Sequence, residues 1–319
     1  MKRSHIVRSA ALAAGAFAAV AALNILRARR IERQIRPAGR FIDVAGTRLH
    51  YIDKGSGPTV VLLHGNGATV TDWKSSGFID ALSATHRVIA FDRPGFGFSS
   101  RPRFRIWNAA AQAELLHEAL HLLGAGPAVV VGHSWGTLVA LALALDYPED
   151  CKRLVLLSGY YFPTMRPDAA IFGTPALPIA GDIMRYTISP ALACLLGPTL
   201  TSRLFAPAPV DANFFVQLAM ATRPWQIRAN AEEAALMVPS AAAMEHRYED
   251  LTVPAAIIAG RDDKIVHRRQ SVHLAEHVPA SQLLLLDDAG HMAHYAAAET
   301  IAETIAVMAH AETESWAFS

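Results

Sequence analysis

The sequence predicts an α/β fold in which helices flank a mostly parallel central sheet. Short apolar runs such as Thr59 to Leu63 and Arg87 to Phe91 alternate with longer helical segments. Such runs are typical of strands buried on both faces, and their alternation with helices implies βαβ units with right-handed crossovers. The strand pattern stops between 160 and 248, which predicts an inserted helical cap. The chain also opens with an apolar run, which predicts an N-terminal hydrophobic helix.

Length and composition suit one large core with an insertion. The chain has 319 residues, of which 52% are hydrophobic, so it can fill a sizeable interior. Prolines recur through 160–248 with aromatic residues and methionines between them, and this stretch is too long for a loop. We therefore expect an N-terminal basic and hydrophobic anchor segment at 1–40, a core at 41–159 and 249–319, and a cap, or lid, at 160–248.

Charge and cysteine content exclude several classes of protein. Residues 1–40 hold nine Lys or Arg and one acidic residue, a net +8, whereas the remainder holds 20 basic and 27 acidic residues, a net −7. An acidic body without rows of Lys or Arg is not a nucleic-acid-binding surface. Two cysteines, Cys151 and Cys194, are too few for a disulfide framework and lack metal-binding spacing. We expect neither a cofactor nor a metal.

The N-terminal segment predicts membrane association. The run from Ser9 to Leu26 carries no charge, and a cluster of arginines begins at Arg27. About 18 residues is just enough for a helix to cross the hydrocarbon core, and the arginines resemble the flank that stops translocation. An uncleaved anchor through 9–26 is the favoured interpretation. The alternatives are a cleaved signal peptide, which would release a secreted or periplasmic protein, and a soluble Ala-rich helix. The charges do not fix which side of the membrane holds the body.

The core elements follow one another in a regular order. Alternation on either side of Gly46 and Thr47 predicts a β-hairpin at the start of the core. The remaining predicted elements are strands at Thr59–Leu63, Arg87–Phe91, Val129–Val131, Arg153–Ser158, Pro254–Gly260 and Ser281–Asp287, and helices at Ala109–Leu123 and about Ala297–Ala309.

A G-x-S-x-G motif at Gly132–Gly136 lies between a predicted strand and a predicted helix. In that setting Ser134 occupies a sharp turn whose neighbours must be nearly free of side chains. The turn exposes the hydroxyl at the positive end of the following helix. Ser134 therefore occupies the position of a nucleophile.

A serine hydroxyl needs an adjacent base, which is itself oriented by a carboxylate. In an open parallel sheet, active groups gather beyond the carboxyl ends of the strands. His291 follows the last predicted strand, and both Asp262 and Asp263 follow the strand before it. The order Ser, Asp, His is the order expected of α/β-hydrolases.

The motifs together resemble the α/β-hydrolase family over roughly residues 41–310. They are Leu63-His-Gly-Asn-Gly67, Asp92-Arg-Pro-Gly-Phe-Gly-Phe-Ser99, Gly132-His-Ser-Trp-Gly136, Gly260-Arg-Asp-Asp-Lys-Ile-Val266 and Gly290-His291.

The resemblance implies a role for each site residue. It makes Ser134 the nucleophile and His291 the general base and then acid, and it aligns Asp263 with the family's acid, with Asp262 as the runner-up. It also implies an oxyanion hole built from the backbone N–H groups of Asn66 and Trp135.

Other polar residues near these motifs are expected to be structural. His64 organises its loop, and His133 packs within the turn around Ser134. His294 lines the rim of the pocket or is exposed. Asp92 fixes its Gly-rich loop through side-chain hydrogen bonds.

A serine nucleophile favours acyl transfer to water through an acyl-enzyme, on a small hydrophobic ester or a related acyl substrate. The apolar cap residues offer a surface for it, namely Phe162, Met165, Phe172, Tyr186, Phe205, Phe214, Phe215 and Trp225. The alternatives are a proline iminopeptidase, a carbon–carbon bond hydrolase of ring-cleavage products, and a non-catalytic binding module on the same fold. The sequence leaves the oligomeric state open.

Overall fold

The computed structural model describes residues 2–310 and contains an eight-stranded sheet. In chain order the strands are β1 Arg40–Val44, β2 Thr47–Lys54, β3 Thr59–Leu63, β4 Arg87–Phe91, β5 Ala128–His133, β6 Cys151–Leu157, β7 Ala255–Gly260 and β8 Ser281–Leu286. Their order across the sheet is β1-β2-β4-β3-β5-β6-β7-β8. β2 pairs antiparallel with β1 and with β4, and every other neighbouring pair is parallel, so the sheet is mostly parallel as predicted.

Helices cover both faces of the sheet and form the insertion. They are α1 Lys2–Gln34, α2 Val70–Ser75, α3 Phe78–Leu82, α4 Ala109–Leu123, α5 Trp135–Asp146, α6 Pro167–Phe172, α7 Ala180–Tyr186, α8 Ser189–Phe205, α9 Phe215–Ala221, α10 Pro224–Met244, α11 Arg269–His277, α12 Ala293–Ala296 and α13 Ala298–His310. Within the described residues, the chain between β6 and β7 forms α6 to α10 and short 3₁₀ turns but no strand. We call residues 160–248 the cap.

Alternate residues of the central strands contribute to two separate hydrophobic layers. Val61 and Val130 face the layer that contains α4 and α5. Val60 and Val131 face the layer that contains α2, α3 and α13. Since successive side chains of a strand point to opposite faces, an unbroken apolar run is what a strand covered on both sides requires.

Three local features differ from the expected elements. α2 and α3, with six and five residues, are too short to show a helical period and were not among the predictions. β6 begins at Cys151 rather than Arg153, because Cys151 pairs with Ala128. The hairpin turns at Ala45 and Gly46 rather than at Gly46 and Thr47, and both turn residues have positive φ angles.

α1 is a single long helix whose two parts have different surroundings. Residues 11–34 include an 18-residue stretch with mean hydropathy 1.7, so this helix is long and apolar enough to cross a membrane by length and composition alone. Residues 11–20 are all exposed, whereas Ala28 is buried against the rest of the protein. The helix therefore leaves the folded body as an exposed apolar rod.

Candidate active site

Ser134 occupies a strained turn between β5 and α5. Its φ and ψ angles are 51° and −120°, a region that residues with a Cβ rarely adopt. A Cβ on Gly132 would lie 2.7 Å from the carbonyl oxygen of Gly136, and a Cβ on Gly136 would collide with the carbonyl oxygen of Leu63. Both glycines of the motif are therefore required by close packing of the main chain around the serine.

The structure brings together the three predicted side chains of the site. His291 Nε2 lies 3.0 Å from Ser134 Oγ, and His291 Nδ1 lies 2.8 Å from Asp263 Oδ2. The imidazole and the Asp263 carboxylate are both buried. These residues come from the turn after β5 and the loops after β7 and β8, all at the carboxyl edge of the sheet.

The hydrogen bonds define the proton positions that the arrangement favours. Asp263 Oδ1 accepts the main-chain N–H groups of Ile265, at 2.8 Å, and Val266, at 2.9 Å. Its other oxygen is then free to accept the Nδ1–H of His291, which leaves Nε2 unprotonated and able to accept the hydroxyl proton of Ser134. Asp262 is half-buried, and its main-chain N–H donates to the carbonyl oxygen of Ala289.

The two predicted oxyanion donors lie close to Ser134. The N–H of Trp135 is the first of α5 and has no intrahelical acceptor, and no side chain caps this helix end. Among the described residues, the main-chain N–H of Asn66 also has no acceptor. Gly65, its neighbour, approaches so closely that a Cβ there would lie 3.0 Å from the Cβ of Ser134.

His64 is buried and supports the loop that contains Asn66. Its Nδ1 lies 2.7 Å from the carbonyl oxygen of Gly65, and its Nε2 accepts the main-chain N–H of Arg93 at 3.0 Å. Burial, reinforced by the positive charge of Arg93, lowers the pKa of His64 to about 3. The expected structural role of His64 is confirmed.

A buried ion pair joins this loop to the cap. The guanidinium of Arg93 pairs with both carboxylate oxygens of Glu233 on α10, and its Nε donates to the carbonyl oxygen of His64 at 2.8 Å. Gln112 of α4 bonds to both members of the pair. The indole N–H of Trp135 donates to the main-chain oxygen of Glu233 at 3.0 Å. Residues of the cap and of the loop that contains Asn66 are thus held in one network.

Two further histidines lie close to the turn at Ser134. His133 is 3% exposed and lies 3.0 Å through Nε2 from the carbonyl oxygen of His291, so its predicted packing is confirmed. Burial lowers its pKa well below the usual value. The expectation for His294 was wrong, because it is fully buried instead of exposed or at a rim. α12 turns its side chain inward, where Nε2 lies 3.2 Å from Asp72 Oδ2 and the ring packs on Trp73.

Asp92 fixes its Gly-rich loop as predicted. One carboxylate oxygen accepts the N–H of Val70 at 2.8 Å, and the other accepts the N–H of Phe98 at 3.0 Å and contacts His50 Nδ1 at 2.7 Å. Both carboxylate oxygens are thus bound by the loop, by the start of α2 or by β2, so Asp92 has a structural role.

The cap contacts the loop that contains His291 at the end of α8. Phe205 and Phe214 form a small apolar cluster with Met292, the residue after His291. A Cβ on Gly290 would collide with the carbonyl oxygen of Ala206, which directly follows α8. These contacts pack the cap against the residues on both sides of His291.

Comparisons with known proteins agree with the fold. The family profile described as alpha/beta hydrolase fold matches residues 58–298, most of the chain. The chain belongs to the α/β hydrolase family. The relatives of this α/β hydrolase include the 2-hydroxymuconate semialdehyde hydrolase of Pseudomonas sp. (strain CF600), 30% identical over 257 residues, which are 79% of this chain and 87% of the relative.

Another relative and a solved structure extend the comparison. The Poly(3-hydroxyalkanoate) depolymerase of Ectopseudomonas oleovorans is 31% identical over 235 residues, which are 72% of this chain and 76% of the relative. A thermophilic esterase from Thermogutta terrifontis has a similar fold, with a TM-score of 0.70 and 23% identity over 84% of this chain and 97% of the esterase chain. The relatives of this α/β hydrolase are thus named for different substrates.

Sequence reasoning missed Arg93 and Glu233 of this hydrolase. The only signal for the first was its place in the Asp92–Ser99 motif, and the only signal for the second was an acidic pair within the Ala-rich stretch of the cap. Neither signal reveals that the two side chains meet across 140 residues of chain.

Proposed function

We propose that this α/β hydrolase is a serine hydrolase that cleaves a carboxylic ester, or a related acyl bond, of a small hydrophobic substrate through an acyl-enzyme on Ser134. The observation that carries the proposal is the continuous contact from Ser134 Oγ through His291 to Asp263. Ser134 is the proposed nucleophile, His291 the proposed base, and Asp263 the group that orients the base.

The proposed reaction has two halves. His291 Nε2 takes the hydroxyl proton as Ser134 Oγ attacks the acyl carbon, and the N–H groups of Asn66 and Trp135 stabilise the resulting oxyanion. His291 then donates that proton to the leaving alcohol as the carbon–oxygen bond breaks. Water, activated by the same imidazole, attacks the acyl-enzyme and releases the acid and Ser134.

The charges around the site favour a neutral substrate. Arg93 pairs with Glu233 and Arg166 pairs with Asp168, so neither guanidinium is free to bind a substrate carboxylate. With the apolar cluster of Phe205, Phe214 and Met292, this surrounding supports an uncharged acyl group.

Carbon–carbon bond hydrolysis is the second candidate. The relative named 2-hydroxymuconate semialdehyde hydrolase favours it, since its sequence aligns with most of this chain. A serine and histidine pair can catalyse both reactions, so only a comparison of substrates distinguishes them.

The proposal is tested with a fluorophosphonate probe and a substrate panel. We expect the probe to label the wild-type protein and neither Ser134→Ala nor His291→Ala, because labelling needs an activated serine. We expect p-nitrophenyl esters to be hydrolysed faster than a dienolic ring-cleavage product and a prolyl-arylamide. Faster turnover of the dienolic compound would establish the second candidate. An unlabelled, inactive wild-type protein would support a binding module.

We also propose that α1 anchors the protein in a membrane through residues 9–26. The exposed apolar stretch supports this, as does the packing of the following residues against the body. A retained anchor resists extraction with alkaline carbonate and leaves an intact N-terminus when the purified protein is sequenced. A new N-terminus beyond the apolar run would show instead that it is a cleaved signal peptide.

A further inference from the structure

Helix α8 has its apolar side chains on the outside. Leu192, Leu195, Leu196 and Leu200 are 44%, 73%, 47% and 37% exposed, and their spacing places them on one side of the helix. The buried side instead holds mainly small or polar residues, including Ser189, Gly197 and Thr201. A helix at a protein–water boundary normally has the opposite arrangement.

The exposed face extends onto α7. Ile179 and Ile183 are 76% and 52% exposed, and Ile188, between the two helices, is 52% exposed. We call this set of residues the cap face: Ile179, Ile183, Ile188, Leu192, Leu195, Leu196 and Leu200. Residues 186–202 contain no charged side chain. Contiguous exposed apolar surface of this kind marks an interaction site.

The exposed apolar part of α1 begins beside this face, where the helix contacts the cap. Asn24 Nδ2 donates to the carbonyl oxygens of Tyr186, at 2.9 Å, and Thr187, at 3.1 Å, at the junction between α7 and α8. Arg27 Nη2 donates to Cys194 Sγ at 2.9 Å. The apolar run of α1 therefore ends next to the residues of the cap face.

Ion pairing fixes this arrangement further along α1. Glu32 pairs at 2.6 Å with Arg223, a fully buried residue at the start of α10, and Arg223 also donates to the carbonyl oxygen of Gly97. Ala28 is buried between these contacts. The end of α1 is thus held to both the cap and the core.

We propose that the cap face docks into the lipid bilayer that holds α1, so that the active site takes its substrate from the membrane. The proposal rests on the proposed anchor and commits to lipid as the occupant of the face. The argument is continuity: an apolar helix of membrane-spanning length meets an apolar surface whose central segment, 186–202, carries no charge. Arginines begin in α1 where the two meet.

Helix α8 connects the cap face with the proposed active site. Its leucines lie on the cap face, and its end at Phe205 packs against Met292, beside His291. From Leu192 to Phe205 the helix rises about 20 Å. Under the proposal, an apolar ester dissolved among lipid acyl chains moves along this helix towards Ser134.

The direct test measures the surroundings of position 195 in the full-length protein. A nitroxide label is attached to Leu195→Cys in a Cys194→Ser background, where the remaining Cys151 is buried. The matched control is Leu122→Cys, a 64% exposed leucine on core helix α4. In phosphatidylcholine vesicles we expect label 195 to be accessible to oxygen and shielded from a water-soluble nickel complex, and label 122 to show the reverse.

Two results would overturn the proposal. Equal access of nickel to both labels would mean that the cap face lies in water. Protection of label 195 from both quenchers would mean that a second copy or another protein covers it. Neither readout depends on catalysis, so an inactive serine would not affect it, and the carbonate extraction tests the anchor separately.

A kinetic measurement tests the route of the substrate. It compares hydrolysis of a long-chain p-nitrophenyl ester held in vesicles with that of a short, water-soluble ester. For Leu195→Glu we expect the ratio of the two rates to fall about tenfold, because a carboxylate opposes insertion into lipid. Leu122→Glu leaves the ratio unchanged. An unchanged ratio in both variants would contradict delivery from the membrane.

Discussion

Helices α5 and α8 use similar residues and lie in opposite surroundings. α5 follows Ser134, and its residues 135–144 are all buried between the sheet and α4. α8 belongs to the cap and leaves its leucines exposed. The core supplies every side chain of the proposed Ser-His-Asp site, whereas the cap supplies apolar surface and one buried carboxylate, Glu233. An apolar composition thus indicates that a helix surface is better kept out of water. It does not indicate whether that surface is buried within the protein, as in α5, or exposed on it, as in α8.

The largest expected effect lies in the core and separates two adjacent aspartates. Asp263→Asn reduces kcat by about 10⁴, because an amide in place of the carboxylate favours the wrong tautomer of His291. Asp262→Asn is the matched control and retains most of the activity, since no side-chain contact links it to the imidazole. Steady-state ester hydrolysis measures both, and the opposite ranking would reassign the acid.

The second-largest expected effect is a loss of stability at the contact between the core and the cap. Glu233→Gln leaves the Arg93 guanidinium buried without its counter-charge, which costs about 3–5 kcal/mol of unfolding free energy. Glu114→Gln removes the exposed partner of Arg105 and costs less than about 1 kcal/mol. Urea denaturation in detergent measures the difference, and equal losses would show that the buried pair does not join the two regions.

A third pair of variants compares the two leucine-rich helices directly. Leu141→Ala in α5 removes a fully buried side chain and destabilises the fold by about 2–5 kcal/mol. Leu195→Ala in α8 changes the stability in detergent by no more than about 0.5 kcal/mol, as is usual for exposed positions. A large loss at Leu195 would mean that the cap face packs against protein.

The smallest expected effect is a dependence of stability on pH. Burial lowers the folded-state pKa of His64 to about 3, so between about pH 6.5 and 3 the unfolded chain binds one proton more than the folded protein at this site. Stability is therefore full above pH 6.5 and falls on acidification, by up to about 1.4 kcal/mol per pH unit. We expect His64→Gln to show a shallower slope in unfolding curves measured from pH 7 to 5. An unaltered slope would assign the proton uptake to other groups.

The sequence predicted the sheet and the proposed catalytic residues because both have local signals. The buried strands are short apolar runs, and the sharp turn at Ser134 requires the glycines that flank it. Chain order sufficed to select His291 and the pair Asp262 and Asp263, since they lie just beyond strands whose ends meet at one edge of the sheet. The family resemblance then favoured Asp263 over Asp262. For α2 and α3 the local signal was too short.

Contacts between distant segments could not be predicted in this way. His294 was expected at a rim or in solvent, yet it is buried against Asp72, a residue that lies more than 200 positions earlier. Arg93 and Glu233 meet only because α10 crosses the loop after β4. Such pairs depend on how whole helices and strands pack together. The local spacing of apolar residues carries no information about that packing.

The sequence by itself determined the fold class, the turn that presents Ser134, and the presence of an apolar helix at the N-terminus. Only the tertiary structure decided which side of α8 faces outward and where α1 lies relative to it. The physical reason is that hydropathy specifies how much surface must leave water, whereas the partner that covers this surface is set by the packing of elements far apart in the chain.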